Sequence, residues 1–324
     1  AVLSYMIPTE TFNRLSPWFL FVAFALLILV LMPGIGREVN GAQRWLPLLG
    51  ALTVQPSEFA KFALLLYTAG YLVRQEDAVR HHWQGLAKLI FILGIVAFLL
   101  LLEPDFGATV IAVGAVVGMM FLAGARLIYV LALLASVALG FLVLVFSAPY
   151  RLQRLTAYQD PWSDPFGAGF QLVQSLIAFG RGEWFGVGLG NSIQKLFYLP
   201  EAHTDFVFSI WAEETGLFGA LILILLFVGL ITRIMQTGWR AAAEGDGFAA
   251  YLCFGVGLMF AGQVFINMGA SSGLLPTKGL TLPFVSYGGS SLIMNCALLG
   301  IVLRIAQQLR PEQRTDQTVS RRLV

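Results

Sequence analysis

Apolar runs separated by short polar intervals cover most of this chain. Eight of them approach the ~20 residues that a bilayer asks of a spanning helix: 17–34, 55–73, 86–102, 106–124, 127–147, 205–231, 248–269 and 285–307. Within each run the apolar residues are continuous instead of alternating, which predicts helices and argues against barrel strands. No segment repeats at a period of 20–50 residues. The pattern predicts an all-α fold, a polytopic membrane helix bundle of about eight transmembrane helices over residues 1–309. A large loop interrupts it at 148–204, and a polar, disordered tail follows at 310–324.

The loop at 148–204 is too long for a simple connection, and such intervals carry structure or function of their own. Phe170, Leu172, Val173, Leu176 and Ile177 recur at helical spacing, predicting an amphipathic helix over 168–180 that lies on the membrane. Gly186, Gly188 and Gly190 come next, with the backbone freedom that lets N–H groups approach a ligand. Gln194, Lys195, Glu201, His203 and Asp205 then crowd the approach to a spanning helix. Thr204 suits the N-cap of that helix, placing Asp205 in its first turn, where the macrodipole favours a carboxylate. In a regular helix Asp205, Ser209 and Glu213 share one face, with Glu213 about 12 Å along the axis. A carboxylate at membrane depth is costly and is read first as a functional group. The plainer reading makes Asp205 a cap and Glu213 half of a structural ion pair.

Three further intervals carry polar residues. Residues 36–45 include Arg37, Glu38 and Arg44, and are followed by Gln55-Pro56-Ser57-Glu58-Phe59-Ala60-Lys61, where Pro56 suits the first helical position. Glu58 and Lys61 stand at i, i+3 and predict an ion pair. Glu103-Pro104-Asp105-Phe106-Gly107 reads as a sharp turn whose acids are solvated. The prolines and glycines of 273–283 predict a broken, re-entrant element, tolerable at membrane depth only when buried in protein or lining a cavity.

Composition sharpens the class. Hydrophobic residues make up 58% of the 324 and charged residues 12%, against about 25% charged in soluble domains. A net charge of +2 gives no argument for nucleic acid. Cys253 and Cys296 sit in apolar runs without metal-ligand spacing and are read as packing residues. The cations of the connections split unevenly. Arg14, Arg74, Arg80, Lys88, Arg126, Arg233, Arg240, Arg304, Arg310, Arg314, Arg321 and Arg322 fall on one side, and Arg37, Arg44, Arg151, Arg154, Arg181, Lys195 and Lys278 on the other. That excess, 12 against 7, predicts that the first side is cytoplasmic.

Ionisable groups beside long apolar helices suit an amphiphilic substrate with an anionic head and a lipid tail. Cations would hold a phosphate or diphosphate, and a carboxylate would act as general base. An ion-coupled transporter, built on broken helices and intramembrane charges, is the competing class.

Four runs carry a resemblance: Asn40-Gly41-Ala42-Gln43-Arg44-Trp45, Gln55-Pro56-Ser57-Glu58, Leu199-Pro200-Glu201-Ala202-His203-Thr204-Asp205-Phe206 and Ser286-Tyr287-Gly288-Gly289-Ser290-Ser291. Together they resemble the SEDS family of bacterial cell-wall proteins (shape, elongation, division and sporulation), from the first residue to the last helix. Pro276-Thr277-Lys278-Gly279-Leu280-Thr281-Leu282-Pro283 resembles the division branch more than the elongation branch. The family typically has ten spans. With Ala1 first and eight opening residues that read like the tail of a hydrophobic helix, the chain is expected to lack the first two.

The resemblance implies a peptidoglycan glycosyltransferase that polymerises lipid II on the outer face of the bacterial cytoplasmic membrane, at the division septum. It implies a class B penicillin-binding protein, a transpeptidase, as partner, together with other divisome membrane proteins. The implied catalytic residue is Asp205, as general base. The expected substrate-binding residues are Lys278, Lys195, Gln194, Glu201, His203, Arg44, Thr277 and Ser286. No organic cofactor and no protein metal site are expected; a divalent cation, Mg or Mn, is the one helper this reading admits. A lipid II flippase is the alternative.

Overall fold

The computed structural model describes residues 1–39, 42–49, 52–146, 158–167, 169–276 and 279–309. Each of the eight apolar runs carries a helix. In chain order the helices are α1 Val2–Met6, α2 Thr9–Leu31, α3 Pro56–Arg74, α4 Glu76–His81, α5 Trp83–Leu102, α6 Phe106–Leu122, α7 Leu127–Phe146, α8 Phe170–Gly182, α9 Val207–Ala243, α10 Gly247–Ser271 and α11 Gly289–Gln308. Among the described residues α2, α5, α9, α10 and α11 are long and apolar enough to cross a membrane, and α6 is a shorter apolar helix. The fold is that of a polytopic helical membrane protein. The tail expected at 310–324 lies outside the described residues, as do Arg151 and Arg154.

Two compact units emerge from the contacts within the chain. The first comprises Ala1–Tyr129, Ile231–Met259 and Gly289–Val324, the second Val130–Leu230 and Phe260–Gly288.

In the first unit α3 is the central element, buried on nearly every face from Pro56 to Leu72. A helix apolar all round has no face to offer water, so its neighbours must enclose it. Phe19 of α2 packs on Phe59 and Phe62 of α3, ring centroids 6.3 and 5.8 Å apart. The expected ion pair forms, with Lys61 Nζ 2.8 Å from Glu58 Oε1 and both side chains buried. Cys253 and Cys296 are free.

The interval between α2 and α3 brings a difference from the expected pure helical fold. It forms a three-stranded antiparallel sheet of β1 Arg37–Val39, β2 Ala42–Leu49 and β3 Leu52–Val54. Arg37 pairs with Trp45 and Leu46 with Val54, and the β2–β3 register shifts at Pro47, which has no N–H to give the ladder. The first loop of the resemblance is thus ordered by strand pairing, while Asn40 and Gly41 lie outside the described residues.

In the second unit α8 occupies the position expected for an amphipathic helix, but its apolar face is covered by protein. Leu172, Val173, Ser175 and Ala178 are buried. Ser175 Oγ donates to Ser271 O at 2.6 Å and shares a 2.5 Å hydrogen bond with Ser209 Oγ. Phe179 meets Phe208 edge-on at 5.6 Å. The expectation of a helix lying on lipid is therefore corrected for this face, because α9 and α10 offer it matching small and polar residues.

Helix α9 is two helices joined at Gly216, whose φ of 68° and ψ of −168° are not helical. Such a break frees carbonyls on one side and N–H groups on the other, and in lipid each must find a partner. Segment 183–188 supplies them. Val187 N and Gly188 N donate to Glu213 O and Glu214 O at 3.0 and 3.1 Å, while Leu217 N and Phe218 N donate to Glu183 O and Trp184 O at 2.9 and 3.2 Å. The approach is so close that a Cβ on Gly216 would lie 2.5 Å from the backbone of Trp184, Phe185 and Gly186.

Candidate active site

Asp205 stands at the end of a compact turn, two residues before the helix it was expected to open. The turn is tied through one carbonyl: Thr204 N, Asp205 N and Phe206 N all donate to Glu201 O, at 3.2, 3.1 and 3.3 Å. Glu201 itself takes a left-handed conformation, φ 56°. Leu199, Ala202 and Phe206 bury their side chains together, with Ile210 against them. Thr204 does not cap the helix as expected. Its hydroxyl donates to Glu201 O at 3.2 Å and Glu201 Oε2 at 2.7 Å, because the turn curls back before α9 begins at Val207.

A second loop, 279–288, is stitched to this turn. Ser286 Oγ donates to Thr204 O at 2.5 Å and accepts from Leu282 N at 2.8 Å. Tyr287 N donates to His203 O at 2.8 Å, and the rings of these two residues meet edge-on at 5.8 Å. From α10, Asn267 Nδ2 donates to Asp205 O at 2.9 Å and to Leu280 O at 2.5 Å. A Cβ on Gly279 would lie 3.2 Å from Asp205 Oδ2, so the backbone beside Lys278 runs directly against the half-buried carboxylate. Thr277 and Lys278 themselves lie outside the described residues.

Below the turn, Glu213 is fully buried, 0% exposed. It pairs with Arg181 Nη1 at 2.9 Å and accepts from Ser192 Oγ and from the N–H groups of Ile193 and Gln194 at 3.3 and 3.4 Å. Glu214 takes Lys195 Nζ at 2.6 Å and Ser192 N at 3.4 Å. The backbone donors past the glycines thus approach an anion, but that anion is the chain's own pair of carboxylates. Glu213 is a clamp for the 186–199 loop, in line with the ion-pair reading. Lys195 reaches the surface already paired, and Gln194 keeps a buried Oε1 without a partner among the described residues.

Arg44 belongs to a separate cluster in the first unit. Its Nε and Nη2 donate to Glu103 O and Pro104 O at 2.9 and 2.6 Å, bracing the turn between α5 and α6. The acids of that turn, expected to be solvated, are buried. Asp105 caps α6 through Ala108 N at 3.0 Å and accepts from Ser57 Oγ and Gln55 Nε2 at 3.0 and 3.3 Å. Glu103 is 0% exposed, and among the described residues neither of its carboxyl oxygens has a hydrogen-bond partner. Burial, and then the charge of Asp105, push its pKa up to about 8 against the opposing pull of Arg44.

The structure therefore gathers Asp205, His203, Glu201, Gln194, Lys195 and Ser286 within one unit and places Arg44 in the other. Among the described residues no group of three or more His, Cys, Asp or Glu side chains is arranged to hold a metal ion. Asn267 went unnoticed in the sequence. Its signal was there, since Gln263, Asn267 and Ser271 stand at i, i+4, i+8 in an otherwise apolar span.

The family model of the cell cycle proteins FtsW, RodA and SpoVE matches residues 1–311. A probable peptidoglycan glycosyltransferase FtsW of Pseudomonas fluorescens SBW25 is 53% identical over 309 residues, 95% of this chain and 76% of that protein. Its counterpart in Hahella chejuensis is 54% identical, over 96% of this chain and 78% of its own. A solved chain from a peptidoglycan synthase complex that coordinates polymerization and crosslinking superposes with a TM-score of 0.78 at 33% identity, covering 96% of this chain and 86% of that one. Matched by the family model over residues 1–311 and about half identical to these relatives over some 95% of its length, the chain belongs to the FtsW, RodA and SpoVE family of cell cycle proteins.

Proposed function

We propose that this chain is a peptidoglycan glycosyltransferase that polymerises lipid II, with Asp205 as general base. The observation that carries the assignment is the seating of the Asp205 carboxylate where two loops cross, against the backbone of Gly279, the residue that follows Lys278 in the sequence. The names borne by relatives about half identical in sequence support the same reaction.

In the proposed step Asp205 takes the proton of the acceptor sugar's 4-hydroxyl as that oxygen attacks the donor's anomeric carbon. A C–O bond forms to the acceptor, and the C–O bond to the diphosphate breaks. The lipid diphosphate leaves with the electron pair, and the proton passes from Asp205 to water. Negative charge grows on the diphosphate, where Lys278 is placed by the sequence to meet it. Thr277, Gln194, Glu201, His203 and Ser286 supply polar contacts around the sugars. Lys195 would serve only on parting from Glu214, and Arg44 only through donors not spent on the 103–105 turn. A divalent cation, Mg or Mn, is proposed to arrive on the substrate's diphosphate, not in a protein-built centre.

The reaction is placed on the outer face of the cytoplasmic membrane at the septum, beside a class B penicillin-binding protein and other divisome membrane proteins. This placement rests on the uneven Lys/Arg distribution and the family resemblance. The test is polymer formation from purified lipid II by the chain with its partner. Asp205→Asn, which keeps shape and removes basicity, should fold and insert normally but polymerise about 100-fold more slowly or worse. Near-normal glycan synthesis by that variant would end the base assignment.

A further inference from the structure

Asn267 is 1% exposed near the C-terminal end of the apolar helix α10, and its environment is unusual. Its two Nδ2 hydrogens go to backbone carbonyls of two different loops, that of Asp205 and that of Leu280. Its Oδ1 is buried with no partner among the described residues. An amide oxygen left unpaired in a dry site costs free energy, so a leucine of similar size would be the cheaper occupant of this position. What leucine lacks is the pair of donors set at a fixed fork.

The neighbourhood shows what that fork controls. The 199–206 turn and the 279–288 loop are joined from the outside by Ser286 and Tyr287 N, as described above. Asn267 joins them from the inside, at the residue whose carboxylate faces Gly279. It is rooted in turn, since Ser271 Oγ donates to Asn267 O at 2.7 Å and Ser175 Oγ to Ser271 O at 2.6 Å. The amide is therefore the inner end of a hydrogen-bonded brace between α8, α10 and both loops.

We propose that Asn267 is a positioning residue for glycosyl transfer, its amide holding the Asp205 turn and the loop after Lys278 in one register. It touches no substrate atom. It sets where the base sits relative to the backbone beside it, so its loss should lower turnover and leave substrate affinity nearly intact. The inference rests on Asp205 being the base, and the experiment separates the two.

Three variants are compared, each with the partner transpeptidase and purified lipid II. Asn267→Leu keeps volume and removes both donors. Asn267→Asp keeps shape and donates only while its carboxyl is protonated. Gln263→Leu removes the other buried amide of the same helix face, whose nitrogen and oxygen both lack partners among the described residues. Asn267→Leu should reduce kcat by about 10- to 100-fold, the scale of an ångström-level misplacement, with KM within about threefold of wild type. Asn267→Asp should lose activity relative to wild type as pH rises. Gln263→Leu should behave as wild type.

Hydrogen exchange followed by mass spectrometry reads the geometry without any turnover. Peptides covering 199–208 and 279–288 should both exchange about tenfold faster in Asn267→Leu, and should be unchanged in Gln263→Leu. Unchanged exchange in both peptides would overturn the brace. Faster exchange with wild-type kcat would overturn the positioning role. If Asn267→Leu does not fold, a pH-independent Asn267→Asp enzyme with wild-type kcat overturns the proposal alone. Loosened loops together with a fully active Asp205→Asn would instead remove Asp205 as base and leave the brace standing.

Discussion

A glutamate that closes a membrane helix ordinarily meets water, and Glu103 meets none. Arg44 spends two donors on the backbone carbonyls of Glu103 and Pro104, and among the described residues the carboxyl has no hydrogen-bond partner. The cheapest state for such a group is neutral. In the unfolded chain it ionises near its ordinary value of 4.5, whereas folded it keeps its proton up to about pH 8. Between those values the folded state binds more protons, so this residue lowers stability progressively as pH rises through the window. Glu103→Gln keeps the shape and stays neutral at every pH. It should raise the melting temperature at pH 8 by several degrees and leave it almost unchanged at pH 4.5, measured in detergent by thermal unfolding. An equal shift at both values would mean the carboxyl is ionised in the fold. The sequence suggested solvated acids here because Pro104 and a following glycine announce a turn, and turns are normally wet. Their burial depends on Arg44 and Gln55, some 50–60 residues away, and no local pattern reports that.

At the scale of elements, length and continuity of apolar residues were enough to locate a helix in every expected span. Two features escaped. The sheet over 37–54 was hidden because two of its strands have only three residues and two carry charge or proline, so period-two alternation never develops. The break in α9 was hidden because glycine is common in membrane helices and Gly216 looks no different from Gly219 or Gly229. Structure separates them. At Gly216 the backbone lies in a region open essentially to glycine alone, and a Cβ would also strike the neighbouring segment. At Gly229 a Cβ would meet nothing within 4 Å. Gly216→Ala should therefore destabilise by about 3 kcal/mol or more, with loss of folded protein in detergent. Gly229→Ala should be neutral or slightly stabilising, as alanine favours a helix by up to about 1 kcal/mol. Equal behaviour of the two variants would contradict the break.

For the whole molecule the quantity to measure is orientation, which follows from the cation count and the family resemblance. The two cation sets predict opposite sides for residues 160 and 240, both exposed in the fold. In a chain carrying Cys253→Ala and Cys296→Ala, Asp160→Cys should react in intact cells with an impermeant thiol reagent and Arg240→Cys should not. The reverse pattern would invert every side assigned above. Much of the candidate site was legible at this scale too, since motif order brought the Asp205 turn and the loop after Lys278 to one end. What no motif conveyed was their linkage, made by an asparagine inside a span and by main-chain bonds.

The bridged break in α9 also bears on the order in which the protein is made. A gap in a spanning helix exposes main-chain groups that hydrocarbon cannot satisfy, so it is most hazardous while the helix is first entering the bilayer. Synthesis runs from the N-terminus, and segments made first can fold first. Residues 183–188 precede α9 in the chain, so the bridge exists before the gap it fills. The ribosome delivers the repair ahead of the defect, and α9 can enter the membrane with Gly216 already matched.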